Sequence, residues 1–345
     1  MGKLFDKVTT QRSLRRAWQS IRSNGIRSSL RETREAIEEF DRNADLQISR
    51  IQRWLHEDRF SFDPQTGVLK KKRSGKKRGI VMAPVHNRIV ERAWLNGLQE
   101  HVPYVRDVIH TRTSVGGVPD RSVPHGLAII REAMRHNKSH FVRADISGFF
   151  DHIPRQDVIG TLAQHIDDDR FLKVLESATE VTLANEAALG EDRKLFPTDE
   201  EGVAQGSPLS ALFGNILLHD FDQRFNDRGI VCVRFIDDFV ILGAQPKHVE
   251  KAFRNAKQLL QSLGLQCHDP FEAGTPEDKA QHGHIDDGFV FLGYDIRPGL
   301  FQPSSEARSK LLKTIDGHIQ RGRHAIQDVL EFESSFAHRQ RYAQT

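Results

Sequence analysis

The chemistry this sequence could perform is concentrated in three acidic residues. Asp145 ends the apolar run Phe141-Val-Arg-Ala-Asp145, and Asp237-Asp238 sits between Val231-Cys-Val-Arg-Phe-Ile236 and Phe239-Val-Ile-Leu242. Adjacent carboxylates repel and are poor in a strand interior. Apolar flanks put them at the lip of a buried sheet, where uncompensated negative charge is costly. A hard divalent cation such as Mg²⁺ offsets that cost, because it prefers carboxylate oxygens and keeps sites for water and substrate phosphate. Each segment also has a plainer account: an acid ending a strand serves as a turn or cap, and Asp-Asp suits a hairpin turn. A third segment, Gln205-Gly206-Ser207-Pro208, reads as a tight turn opening a helix, with Ser207 as cap and Pro208 as first helical residue. Alternatively, this loop touches a nucleotide.

These residues need elements to hold them. Apolar runs predict strands over His140–Ile146, Ile230–Ile236 and Phe239–Leu242, with Gly148 allowing a close turn after the first. A helix is expected from Lys247 to Leu263, with Ala252, Phe253, Ala256, Leu259, Leu260 and Leu263 on one face. A last hairpin is expected over Phe289–Ile296. Upstream, LKKKRSGKKRGIVMAP from Leu69 carries seven cations and no acid, split by Ser74-Gly75. It predicts a basic hairpin ending at Pro84, followed by a helix from Arg88 to about Gly97. Helices are also expected near Pro208 and over Leu127–Met134. Residues 10–57 predict helices broken at Asn24-Gly25 and Asn43. Their arginines (Arg12, Arg15, Arg16, Arg22, Arg27, Arg31) form either a solvated face or an RNA-binding one.

Composition fits a globular chain: 38% hydrophobic and 28% charged residues exclude a disordered one. The net charge of +3 says little about partners, so the local basic runs matter more. Two cysteines, Cys232 and Cys267, make neither a disulfide framework nor a metal cluster, and a reducing cytosol is expected. No apolar run reaches membrane-spanning length, and the N-terminal stretch lacks the apolar core of a signal peptide.

In order and spacing, the segments resemble the palm of reverse transcriptases, most closely the bacterial branch related to group II intron proteins. Asp145–Phe150 matches the first palm motif, Gln205–Leu209 the second and Phe235-Ile-Asp-Asp238 the third. A looser fourth lies around Leu263-Gly264-Leu265. Phe291, Leu292 and Gly293 resemble the primer grip, and the basic hairpin, Arg88 and SVGGVPDRS (114–122) resemble the fingers. The resemblance covers roughly residues 65–300.

It implies an α+β right-hand polymerase: an N-terminal helical extension over 1–60, fingers over 61–140, an antiparallel-sheet palm over 141–300, and a short or truncated thumb starting at 301. It implies an RNA-directed DNA polymerase that adds dNTPs to a DNA product on an RNA template. Asp145, Asp237 and Asp238, with the Ile146 carbonyl, would hold two Mg²⁺ (or Mn²⁺) ions, ~3.5–4 Å apart in such sites. Phe150 would lie under the sugar and select deoxynucleotides. Gln205, Gly206 and Ile236 would line the nucleotide pocket, and Lys77, Arg78 and Arg88 would meet the triphosphate or the template backbone. The compact chain resembles defence-associated enzymes, which implies antiphage action, a dedicated non-coding RNA, a second protein subunit and a cytoplasmic site.

The sequence departs from the family in places. Ile236 replaces the usual small residue before Asp-Asp. The lysine expected soon after Gly264-Leu265 is missing, leaving Lys279 or His268 for a general-acid role. Other readings stay open: an RNA-binding scaffold with a weak or vestigial site, an RNA-synthesising polymerase, and, remotely, a two-carboxylate glycosidase.

Overall fold

The computed structural model describes residues 3–71, 75–198, 200–227 and 230–342, without the side chains of 226–227 and 333–342. Lys72, Arg73 and Ser74 of the expected basic turn fall outside those residues. The chain divides into two compact units, residues 1–283 and 284–345.

The first unit opens with helices α1 (Leu4–Val8), α2 (Gln11–Gly25), α3 (Arg31–Asp41) and α4 (Ala44–His56). Helical spacing puts Leu14, Trp18 and Ile21 of α2 on one buried face. Trp18 meets Phe40 with ring centroids 4.6 Å apart. Of the N-terminal arginines, Arg15 pairs with Asp45, Arg22 with Asp41 and Arg31 with Glu35. The hairpin β1 (Thr66–Lys71) and β2 (Lys77–Met82) follows, in antiparallel register from Thr66↔Met82 to Lys71↔Lys77.

Helix α5 (Val85–His101) runs through the body and is buried along much of its length. It does not stop at Gly97 as the sequence suggested. A Cβ there would lie 2.2 Å from Val8 Cγ1, so the glycine permits helix contact instead of ending the helix. Next come α6 (Pro103–His110) and α7 (Val123–Arg135). The latter begins four residues before the expected Leu127, because Ser122 and His125 close a capping box with a proline in the first turn.

Strand β3 (His140–Asp145), helices α8 (Arg155–Ala163), α9 (Asp169–Thr179), α10 (Glu186–Leu189), α11 (Ser210–Leu217) and α12 (His219–Asp227), strands β4 (Val231–Phe235) and β5 (Asp238–Gly243), helix α13 (Pro246–Ser262) and strand β6 (Ala280–His284) complete the body. The four strands form one sheet in the order β4-β5-β3-β6. Helix α13 packs on β3 and β5, while α7 and α12 pack on β4. Phe221, Phe239 and Phe253 fill the layer between and are fully buried. Burying each such ring contributes roughly 1.5–3 kcal/mol.

The second unit carries β7 (Phe289–Phe291), β8 (Tyr294–Arg297) and β9 (Leu300–Pro303) in one antiparallel sheet, then the long helix α14 (Ser305–Tyr342). The expected hairpin thus gains a third strand. Ser304 caps α14 by accepting from the Ala307 amide at 3.2 Å. Leu311, Leu312, Ile315, Ile319 and Ile326 are exposed along it. Among the described residues no helix is long and apolar enough to cross a membrane.

Candidate active site

The antiparallel register of β3 and β5 sets Asp145 directly opposite Asp238, while the β4–β5 hairpin sets Phe235 opposite the same residue. The Ile146 amide donates to the Asp237 carbonyl at 2.9 Å, closing β3 onto the turn. Three carboxylates separated by some ninety residues thus share one sheet end. Burial, reinforced by Asp145, pushes the Asp237 carboxyl above the usual range, against the pull of Arg78 and Lys279. Burial, then Asp145 and Asp237, push Asp238 up to about 7. The site is short of positive charge.

Lys279 supplies part of it: its ammonium donates to Asp145 Oδ2. Lys279 stands immediately before β6, which borders β3 on the edge away from β5. Arg143, two residues before Asp145, holds that segment by donating to the carbonyls of Glu277 and Asp278. The His268 amide donates to the Asp145 carbonyl at 3.0 Å, and its ring meets Ser147 Oγ at 3.0 Å.

Ile236 occupies the left-handed region (φ 61°), a strained conformation for a β-branched residue. Its surroundings hold it there. Arg234, fully buried, donates to the Ile236 carbonyl at 2.9 Å, to both carboxylate oxygens of Asp222 at 2.9 and 2.5 Å, and to Asn215 and Ser114. Asn215 in turn donates to the Gly116 carbonyl at 3.0 Å. The 114–122 loop is thereby tied to the Asp-Asp turn. Sequence reading overlooked Arg234, Asp222 and Asn215; an arginine inside an apolar strand was the available signal.

The Gln205–Pro208 turn sits against the β2 strand and α5. Val81 donates to the Gln205 carbonyl at 3.0 Å, and a Cβ on Gly206 (φ 138°) would lie 2.4 Å from the Val81 carbonyl. Only glycine fits that approach. Ser207 does accept from a backbone amide, that of Leu209 at 3.2 Å, but α11 starts at Ser210, beyond the expected Pro208. The Ser207 hydroxyl instead donates to Glu91 at 2.8 Å. Gln205 donates to Asp151 at 2.8 Å, joining this turn to the segment after Asp145. There Phe149 is buried in the core, and Phe150 is half-buried and packs against it.

The basic candidates divide. Lys77 pairs with Asp192 at 2.5 Å. Arg78, its neighbour on β2, acts on Asp237. Arg88 stands on α5 beside Glu91. In the second unit, Leu292 (φ 51°) and Gly293 (φ 78°) form the two-residue turn between β7 and β8, with Phe291 buried before it.

Among the described residues, no three His, Cys, Asp or Glu side chains converge into a ready-made metal cage. The donor chemistry nevertheless fits a divalent cation: hard carboxylate oxygens that repel one another, a lysine ammonium already drawn to one of them, and an Ile146 carbonyl that accepts no hydrogen bond among the described residues.

Comparison with known proteins agrees with this geometry. The family described as reverse transcriptase (RNA-dependent DNA polymerase) matches residues 69–296. The chain belongs to the reverse transcriptase family, and by class it is an RNA-directed DNA polymerase with that family's right-hand fold. It is 24% identical over 314 residues to Protein YkfC of Escherichia coli, covering 79% of this chain and 74% of YkfC. It is 28% identical over 176 residues to an uncharacterized 91 kDa protein in cob intron of Schizosaccharomyces pombe, covering 51% of this chain and 20% of that protein. Among solved structures, a chain of a partial Cas6-RT-Cas1–Cas2 complex is similar with a TM-score of 0.41 and 21% identity, covering 76% of this chain and 42% of its own. Apo telomerase from Candida tropicalis, truncated from its C-terminal domain, is similar with a TM-score of 0.46 and 15% identity, covering 75% and 60%.

Proposed function

We propose that this chain extends a DNA primer on an RNA template by adding dNTPs, with Asp145, Asp237 and Asp238 as the catalytic residues. The observation that carries this is the β3–β5 register, which places Asp145 opposite Asp238 in an electrostatically frustrated site. Those carboxylates and the Ile146 carbonyl would hold Mg²⁺ or Mn²⁺. When bound, such ions stabilise the attacking and leaving oxygens of an in-line displacement.

The remaining roles follow from position. Arg78 is best placed to meet the triphosphate, since it already acts on Asp237, with Lys77 available once it leaves Asp192. Gln205 and Gly206 would line the nucleotide pocket, Phe150 would lie under the sugar, and Ile236 would touch the primer end or the nucleotide. Phe291, Leu292 and Gly293 would grip the primer. In this reading residues 1–60 are the helical extension, 61–140 the fingers, 141–300 the palm, and 301–345 the beginning of the thumb.

The motif resemblance supports antiphage defence as the setting, with a dedicated non-coding RNA as template, a second protein subunit, and a cytoplasmic location. The Lys279–Asp145 contact favours a second reading, an RNA-binding scaffold with a weak polymerase site. One assay decides: labelled dNTP incorporation with Mg²⁺ on a primed RNA template, for wild type and Asp237→Asn. Template-dependent synthesis lost in the variant is expected. Absence of wild-type synthesis, on protein copurified with its cellular RNA as well, would favour the scaffold.

A further inference from the structure

From Arg308 to Phe332 every described residue of α14 except Gly317 is exposed. The apolar residues of this stretch are not scattered. Leu312, Ile315, Ile319, Ile326 and Val329 are 46% to 66% exposed. With Gly322 between them, they follow one another in alternating steps of three and four residues. That is the seam of a helix that packs lengthwise against another helix. The helix also needs a partner for its own stability. Gly317 and Gly322 both weaken it, and helices in proteins are held mainly by packing of an apolar face. A Cβ on Gly322 would meet nothing within 4 Å, so no contact within the chain requires a glycine there.

The order of residues along the seam selects the partner. When a second α14 runs antiparallel to the first, Ile319 of each copy falls opposite Gly322 of the other, Ile315 opposite Ile326, and Leu312 opposite Val329. The bulky side chain at the centre thus meets the residue that has none. Asp316 and Arg323 flank the seam on one side and have no ion-pair partner among the described residues. In this register they face each other across the seam, twice by symmetry. A parallel pair would instead stack Gly322 on Gly322, leave a void, and set Asp316 beside Leu311 and His318 beside Arg323. Such self-complementarity is what a two-fold contact between identical surfaces requires.

We infer that α14 is a self-association surface whose partner is α14 of a second copy of this chain, antiparallel across a two-fold axis. The inference stands independently of the polymerase reading.

Sedimentation equilibrium of the full chain at micromolar concentrations tests it, and twice the chain mass is expected. Arg323→Asp sets like charges against each other and should raise the dimer Kd at least about tenfold. The double variant Asp316→Arg/Arg323→Asp reverses both charges and should restore the dimer. Because the double variant must fold and pair again, the series stays decisive even if one single variant misfolds. Ile319→Glu, with a charge in the seam, should give a monomer. Disulfide trapping fixes the register, in a Cys267→Ser background that leaves only the buried Cys232. Copies carrying Asp316→Cys mixed with copies carrying Arg323→Cys should crosslink, and neither should crosslink alone. A monomer at every concentration, a dimer indifferent to Ile319→Glu, absence of charge-swap rescue, or crosslinking of a single variant with itself would each overturn the proposal. A monomer whose Ile319→Glu variant loses affinity for an RNA–DNA duplex would overturn it in favour of nucleic acid on the same stripe.

Discussion

The Arg234 guanidinium donates to the Ile236 carbonyl 2.9 Å away, two residues along its own chain, while its other nitrogens hold Asp222 on α12. A fully buried cation thereby fixes the left-handed residue that precedes Asp237-Asp238.

Breaking this buried pair from one side should be severe. Arg234→Met strands Asp222 in the core and should cost about 3–5 kcal/mol, read as a lowered denaturation midpoint. The double variant Arg234→Met/Asp222→Leu should regain much of that stability, because apolar replacement of a buried ion pair is often neutral or better. It should not regain polymerisation, because the Ile236 carbonyl remains unheld. Recovery of both would show that Arg234 serves the core alone.

Gly116 faces the same turn. A Cβ there would lie 2.6 Å from the Ile236 amide nitrogen and 2.8 Å from the Phe235 carbonyl carbon. Gly116→Ala must displace the Asp-Asp turn, and even a shift near 1 Å costs about a hundredfold in rate at such sites. Gly160→Ala on α8, where a Cβ meets nothing within 4 Å, is the matched control. It should leave incorporation unchanged and stabilise the helix slightly.

Phe150 is half-buried beside the fully packed Phe149. Under the proposed role, Phe150→Ala opens space for a 2′-hydroxyl and should raise NTP use relative to dNTP by about 10- to 100-fold. Competition between the two nucleotide pools measures it. An unchanged ratio with lower overall rate would mark Phe150 as packing alone.

Glu91 gives a pH signature in stability. Its folded-state pKa is pushed up to about 7 by burial, above the ordinary carboxylate value. Between that ordinary value and 7 the folded state binds more protons than the unfolded, so Glu91 makes stability fall as pH rises through this window. The loss is of order 3 kcal/mol. Glu91→Gln should flatten that decline while keeping an acceptor for Ser207. Denaturant midpoints at pH 5 and pH 8 for both proteins provide the check.

Lys279 competes for Asp145. Its side chain is 44% exposed, so the contact is weak, and Lys279→Met should tighten Mn²⁺ binding about two- to fivefold by calorimetry. Weaker binding would mean that Lys279 organises Asp145 for the cation instead of occupying it.

The sequence by itself determined the location of Asp145, Asp237 and Asp238 and the strands that carry them. Apolar runs ending in Asp145 and flanking Asp237-Asp238 predict β3, β4 and β5 to within a residue or two, because strand patterning is local. Helix limits were less legible: Gly97 reads as a stop until Val8 is seen packed against it. What brings Asp145 to Asp238, Lys279 to Asp145, Arg234 to Asp222 and Glu91 to Ser207 is pairing across long separations. Those partners leave no periodic trace along the chain, since a buried charge is tolerated only where a distant segment satisfies it. Tertiary structure alone therefore decided which cations face Asp145, Asp237 and Asp238.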